Sequence, residues 1–139
     1  MSCVICDKHK DTKLILFEND NWIITPGAFD SHIVGYLLLE PKRHIENWYE
    51  FNNNELEEMG TFISRVEQGL RSFLDIDRLY VLTISEEVRH LHFHLIPRST
   101  NGGKKGIELI KQATQQKEIN EFLSKEEFNE IIFKIRNSL

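Results

Sequence analysis

Apolar positions along the chain fall into short runs, then a long helical period, then short runs again. Leu14 to Phe17, Trp22 to Thr25 and Val34 to Glu40 are separated by the turn formers Asn19-Asp20-Asn21 and Pro26-Gly27. That pattern predicts consecutive antiparallel strands, with Pro41 ending the third. After Asn52-Asn53-Asn54, apolar residues stand at Leu56, Met59, Ile63, Val66, Leu70 and Phe73, with spacings of 3, 4, 3, 4 and 3. One face of a helix from Asn54 to Leu74 fits, and Asn54 with Glu57 has the spacing of a capping box. Gly60 and Gly69 inside it each cost about 1 kcal/mol relative to Ala, which points to close packing at those turns. Leu79 to Ile84 and Val88 to Ile96 predict two more strands, joined by Ser85-Glu86-Glu87, with Pro97 closing the second. Beyond the break at Asn101-Gly102-Gly103, Ser124 and Glu127 form a capping box ahead of Phe128, Ile131, Ile132, Ile135 and Leu139 at helical spacing. The expected fold is α+β, with an antiparallel sheet of about five strands, a long helix packed on it and a C-terminal helical tail.

Composition narrows the class. The 139 residues include 17 Lys and Arg against 22 Asp and Glu, a net charge of −5. No repeat or low-complexity linker divides the chain, so one domain is the simplest reading. Net acidity argues against broad nucleic-acid binding, which needs clustered cations to displace counterions from phosphates. The longest apolar runs cover four residues, as in Tyr36-Leu37-Leu38-Leu39, far short of the roughly 20 that span a bilayer. No membrane association is expected. The first residues become charged before a signal-peptide core develops, so the expected location is cytoplasmic.

Two details stand out. The only cysteines form Cys3-x-x-Cys6, which in a reducing compartment suggests a metal pair or a redox pair before a structural disulfide. Three of the six histidines are His90, His92 and His94. In a strand, residues two apart share a face, so these imidazoles form a row while Leu91, Phe93 and Leu95 line the opposite side. At this His content, two more at i+2 and i+4 arise by chance roughly 0.2% of the time. A functional row is therefore favoured over idle surface imidazoles or a simple metal face. His9 and His32, without motif partners, read as ordinary surface residues.

His90-Leu91-His92-Phe93-His94-Leu95-Ile96 resembles the signature of the histidine triad (HIT) superfamily of nucleotidyl hydrolases and transferases. Gly35-Tyr36-Leu37-Leu38-Leu39-Glu40-Pro41-Lys42-Arg43-His44 is similar to that family's preceding strand and turn, and Pro97-Arg98 to its exit from the triad. The resemblance runs from about Cys3 to Arg98. It implies a HIT-like domain over residues 1–100; the tail matches no family motif, and its own pattern makes residues 101–139 a C-terminal helical extension expected to pack on the same domain. The resemblance also implies a covalent mechanism: His92 attacks the α-phosphorus of a nucleotide, and His94 donates a hydrogen bond to the charge that builds on the phosphate oxygens. A neutral imidazole suits that attack near pH 7. Some relatives, and the galactose-1-phosphate uridylyltransferases, hold a structural zinc with residues matching Cys3, Cys6, His44 and His90. Two thiolates and two imidazoles make a closed tetrahedral site with no position for substrate. Members usually pair as dimers through the long helix and an adjoining strand, so a homodimer is expected.

Three positions depart from the family pattern. Gly35-Tyr36 stands where Gly-His is usual, and Tyr36, a candidate substrate-binding residue, can donate a hydrogen bond but not act as a neutral base. Ser85-Glu86-Glu87 replaces Gly-Gln-Ser/Thr, so Ser85 and Glu87 fall at substrate-binding positions, with two carboxylates beside the expected phosphate. The acidic residue that would hold the ribose falls on Ala28, with Asp30 two positions later, either replacing it or capping a turn. Trp22 and Phe29 are candidates for stacking on a base. The leading expectation is an enzyme that cleaves a phosphoanhydride or phosphoramidate, as in a dinucleoside polyphosphate. The alternatives are a non-catalytic zinc-stabilised nucleotide-binding or interaction protein, and a transferase passing the nucleotidyl group to a sugar phosphate, for which the chain is short.

Overall fold

In the computed structural model, which describes residues 2–139, one antiparallel sheet is built from β1 (Phe17–Glu18), β2 (Trp22–Pro26), β3 (Leu37–Pro41), β4 (Ile76–Leu82) and β5 (Phe93–Ser99). Their order is β1-β2-β3-β5-β4. The α-helices are α1 (Val4–Lys8), α2 (Asn53–Arg71), α3 (Ile107–Gln115) and α4 (Lys125–Ser138).

Register separates the two faces. Ile24 lies opposite Leu39, which lies opposite Phe93, and Leu37 lies opposite Leu95. With Trp22 these side chains form the main core, closed by Phe62, Val66 and Leu70 of α2 and by Ile135 of α4. The alternate positions, among them Thr25, Leu38, Glu40, His94 and Ile96, point to the other face. There α3 covers one end, packing Leu109 and Ala113 against Tyr36 and Ile96. At the other end α1 is tied down through Lys8 and His9, which reach Glu40. Between them Leu38 and His94 stay partly exposed.

The long helix starts two residues earlier than its spacing suggests. Asn52 caps it, its side chain accepting from the Glu55 amide while the Glu55 carboxylate takes the Asn52 amide. Glu55 is held back for this by Arg43, whose guanidinium reaches both carboxylate oxygens at 2.7 and 3.0 Å. Gly69 has the packing reason expected of it, since a Cβ there would lie 3.0 Å from the Ser138 hydroxyl on α4, whereas Gly60 faces open space.

Several strand limits differ from expectation. Residues Thr12–Leu14 form a 3-10 turn, and only Phe17 and Glu18 pair in the first strand. Gly35, at φ +82°, delays the third strand to Leu37. The last strand begins at Phe93 instead of Val88. Its ladder with β3 stops because Pro41 has no N–H to continue it. His90 and Leu91 remain anchored there, by a 2.8 Å bond from the His90 ring to the Pro41 carbonyl and a 2.7 Å bond from the Leu91 amide to Ile45. Pro97 does not close the strand, which runs on to Ser99 with Pro97 opposite Leu79. Helix α3 has no counterpart in the expected elements. No helix among the described residues is long and apolar enough to cross a membrane.

Candidate active site and metal centre

Leu91, Phe93 and Leu95 are buried in the main core, which turns the three histidines that alternate with them to the opposite face. His92 and His94 lie edge to face, with ring centroids 5.1 Å apart. Each has its tautomer set by one neighbour. His92 Nδ1 lies 2.8 Å from the His90 carbonyl, which only accepts, so Nδ1 carries the proton and Nε2 keeps a free lone pair. The segment is pinned by the residues before it: the Thr83 hydroxyl donates to the His92 carbonyl at 2.7 Å, and the Ser85 hydroxyl accepts the His92 amide at 3.3 Å. Ser85 adopts a left-handed backbone, φ 54°, to bring that hydroxyl round.

Tyr36 supplies the corresponding control over His94. Its oxygen lies 2.6 Å from His94 Nδ1. Burial, then the charge of Glu40, holds the phenol protonated, and burial, then the neighbouring His92, pushes His94 down to about 4. A neutral imidazole accepting the phenol proton at Nδ1 carries its own proton on Nε2. One histidine thus offers a lone pair and the next an N–H donor. Tyr36 itself is seated by Gly27, where a Cβ would fall 2.3 Å from the tyrosine ring.

At the other end of the row, Cys3, Cys6, His44 and His90 gather their ligand atoms within 4.8 Å of one another. His90 Nδ1 lies 3.5 Å from the Cys3 sulfur and 3.4 Å from that of Cys6, and His44 Nδ1 lies 3.6 Å from Cys6. A sulfur–nitrogen edge of a tetrahedral zinc site is about 3.6 Å. Both imidazoles are turned for that use, His90 donating Nε2–H to the Pro41 carbonyl and His44 bonding the Glu46 carboxylate through Nε2 at 3.2 Å. Such partners fix a metal-binding histidine with its other nitrogen free. The thiols titrate as a pair. Burial opposes ionisation of Cys3, but hydrogen bonds from the Cys6 amide, the Cys6 thiol and His44 lower it overall. Cys6 is pushed up to about 11 by burial and by its bond and charge interaction with Cys3. The donor set fits a structural zinc, which would clip α1 to the turn after β3 and to the start of the triad.

The remaining expected site residues divide. Trp22 is not available to a base: it is 1% exposed, on the α2 face, stacked on Phe51 with its indole N–H on the Glu55 carbonyl. Phe29 and Asp30 share a short 3-10 turn on which Asp30 is exposed. Phe29 borders a cleft of about 220 Å³ with Lys8, Leu14, Thr25, Lys125 and Phe128. Thr25 lies opposite Leu38 and Leu38 opposite His94, so at strand spacing the cleft is about 10 Å from the triad. Glu86 and Glu87 are exposed on the turn before it.

Other site residues escaped the sequence reading. His9 is a partner of buried Glu40, and His32 adopts φ 54° while its Nδ1 accepts the Leu123 amide; neither is an ordinary surface residue. Thr83 carried no signal beyond its place two residues before Ser85. Glu40 carried one, as a lone carboxylate ending an apolar strand.

An antiparallel sheet bearing His-x-His-x-His, with a Cys and His cluster at one end of the row, defines a histidine-triad protein. Residues 8–101 match the family model of the HIT domain, and the chain belongs to that family. It is similar to an uncharacterised HIT-like protein of Saccharolobus solfataricus, 22% identical over 130 residues that cover 88% of this chain and 93% of the other. Among solved structures, a hypothetical histidine triad nucleotide-binding protein of Sulfolobus tokodaii superposes with a TM-score of 0.72 at 21% identity, covering 98% of this chain and 91% of its own. A zinc-bound histidine triad family protein of Mycobacterium smegmatis gives 0.68 at 18% identity, over 99% and 93% of the two chains.

Proposed function

We propose that the chain is a nucleotidyl hydrolase or transferase acting at the α-phosphate of a nucleotide through a covalent His92 intermediate. The observation that carries this reading is the bond from His92 Nδ1–H to the His90 carbonyl, which leaves Nε2 as a free nucleophile beside a second, neutral histidine. Nε2 attacks the α-phosphorus, and the phosphoanhydride or phosphoramidate bond breaks with its electron pair leaving on the departing oxygen or nitrogen. His94 Nε2–H donates to the phosphate oxygens as charge builds there. Water then attacks the phosphorus, the P–N bond to His92 breaks, and a nucleoside monophosphate leaves. The sugar and base extend toward Phe29 and Asp30. Asp30 stands two residues after Ala28, the position where the resemblance puts the ribose-binding acid, and takes over the ribose hydroxyls. Cys3, Cys6, His44 and His90 hold a structural zinc, supported by the sulfur–nitrogen edges of 3.4 to 3.6 Å. Zinc there supplies rigidity to the start of the triad.

Glu86 and Glu87, in place of neutral phosphate-binding residues, favour a second reading: a zinc-stabilised protein that binds nucleotides without turning them over. Incubation with dinucleoside polyphosphates and nucleoside phosphoramidates, with intact mass of the wild type and His92→Ala, separates the two. An added nucleotidyl mass or product formation that requires His92 supports the enzyme. Binding with neither adduct nor product from any of these substrates rejects it.

A further inference from the structure

Glu40 is a carboxylate with no exposed surface in the middle of the functional face, and the chemistry above does not use it. Three side chains converge on it: Lys8 Nζ at 2.6 Å, His9 Nε2 at 3.0 Å and the Thr25 hydroxyl at 3.4 Å. Burial alone would favour the neutral acid, but the His9 hydrogen bond and the Lys8 charge reverse this and keep it ionised. Lys8 and His9 end the same short helix whose start is Cys3, where the Cys3 sulfur accepts the Cys6 amide at 3.3 Å. A five-residue helix does not hold itself together in water. At its C-terminal end it is seated on the sheet chiefly by Glu40, which both Lys8 and His9 reach, with a further 3.2 Å bond from Lys8 Nζ to the Thr25 hydroxyl. His9 also meets the His90 ring edge-on at 5.7 Å, so the same anchor abuts a metal ligand.

We propose that Glu40 is a positioning residue for the metal centre: through Lys8 and His9 it docks α1 on β3 and presents Cys3 and Cys6 to His90 before any metal arrives. This rests on the zinc reading for its metal arm, while the docking of the thiols stands on its own. A buried ion pair of this kind is retained better for the geometry it enforces than for net stability.

The test compares wild type, Glu40→Gln, Lys8→Met and the double variant. Zinc affinity is measured by competition with a chromophoric chelator, and the metal-free proteins are challenged with an aromatic disulfide to time thiol modification. Both single variants are expected to weaken zinc binding by about 10- to 100-fold and to speed modification of Cys3 and Cys6. The double variant is expected to lose less than the sum of the two single losses, since both remove the Lys8–Glu40 ion pair and only the Lys8 bond to Thr25 is additional. A lower melting temperature with unchanged thiol rates in the variants assigns Glu40 to stability alone and overturns the inference. If Glu40→Gln does not fold, Lys8→Met decides, because it leaves the buried carboxylate its bonds from His9 and Thr25. If the wild type takes up no zinc, the metal reading falls, and the thiol rates still decide the docking.

Discussion

The phenol oxygen of Tyr36 and Nδ1 of His94 lie 2.6 Å apart, with the two rings stacked at an interplanar angle of 23°. At the position where the family pattern has histidine, the tyrosine therefore acts on the third triad histidine, selecting the tautomer that presents Nε2–H. A phenol is well suited to this, because it keeps its proton where burial would leave a second imidazole ambiguous between donor and acceptor.

Replacing Tyr36 by Phe removes the donor and keeps the ring. His94 then loses its tautomer control, and one hydrogen bond of about 1 kcal/mol is withdrawn from the donor aimed at the phosphate. The expected result is a fall in kcat/KM of roughly five- to tenfold, with the far-ultraviolet spectrum unchanged. Steady-state kinetics on a phosphoramidate substrate checks it. Unchanged kinetics would remove Tyr36 from the chemistry.

The depressed His94 also sets a pH dependence of stability. Its value falls from the ordinary 6.5 to about 4 on folding. Between those limits the unfolded chain binds a proton at this site and the folded chain does not. Stability therefore rises with pH across that window and is lost as the pH drops through it, flattening near 4. Urea denaturation of wild type and His94→Gln from pH 7.5 to 4.5 is the measurement. The difference between them should shrink as the pH falls, since the variant lacks this proton linkage. A constant difference would contradict a neutral, half-buried His94.

Gly27 is required for a steric reason. A Cβ there lies 2.3 to 2.6 Å from three atoms of the Tyr36 ring, which is anchored at its far end by His94. Gly27→Ala should destabilise the fold by about 1 to 3 kcal/mol, in the range of overpacking substitutions, and should lower activity by tilting Tyr36 off His94. Pairing it with Tyr36→Ala tests the cause. If the clash is responsible, Gly27→Ala adds little destabilisation once the ring is gone.

Much of this was legible in the chain itself. Period-2 alternation around His90, His92 and His94 placed the triad opposite a buried Leu-Phe-Leu row, and the spacing of Leu56 to Phe73 located α2. The four candidate metal ligands came from motif resemblance, and their sulfur and nitrogen atoms converge in the fold. Long-range partnerships were not legible. Nothing local to His9 points to Glu40, 31 residues away, and nothing local to Trp22 tells a stacking residue from a core one until its strand register is known. The tail was legible as a helical extension, but not its division into two helices that pack at different places. α3 packs on Tyr36 and Ile96, while α4 packs on α2.

Zinc removal should loosen one end of the row before the rest. Metal analysis of protein purified without chelators is expected to give about one equivalent, and Cys6→Ser, which deletes one of four ligands, well under half. Stripping the metal with a strong chelator should lower the melting temperature and expose both thiols to modification, because apparent zinc-binding free energy is returned as folding free energy when ligands are assembled by the fold. Less than half an equivalent in the wild type would reject the four-ligand site.

A homodimer is the last expectation, and the surface suggests where it forms. β4 is an edge of the sheet, seven residues long, with Val81 46% exposed, and α2 leaves Leu56 39% exposed. An open strand edge is a ready pairing surface unless it is covered. Antiparallel pairing of two β4 strands about a twofold axis would continue the sheet and cover Val81. Sedimentation velocity should then give a species of about twice 16.4 kDa. Val81→Lys, which places two like charges at the paired edge, should shift it to monomer without unfolding it. A wild-type monomer at micromolar concentration would rule the arrangement out.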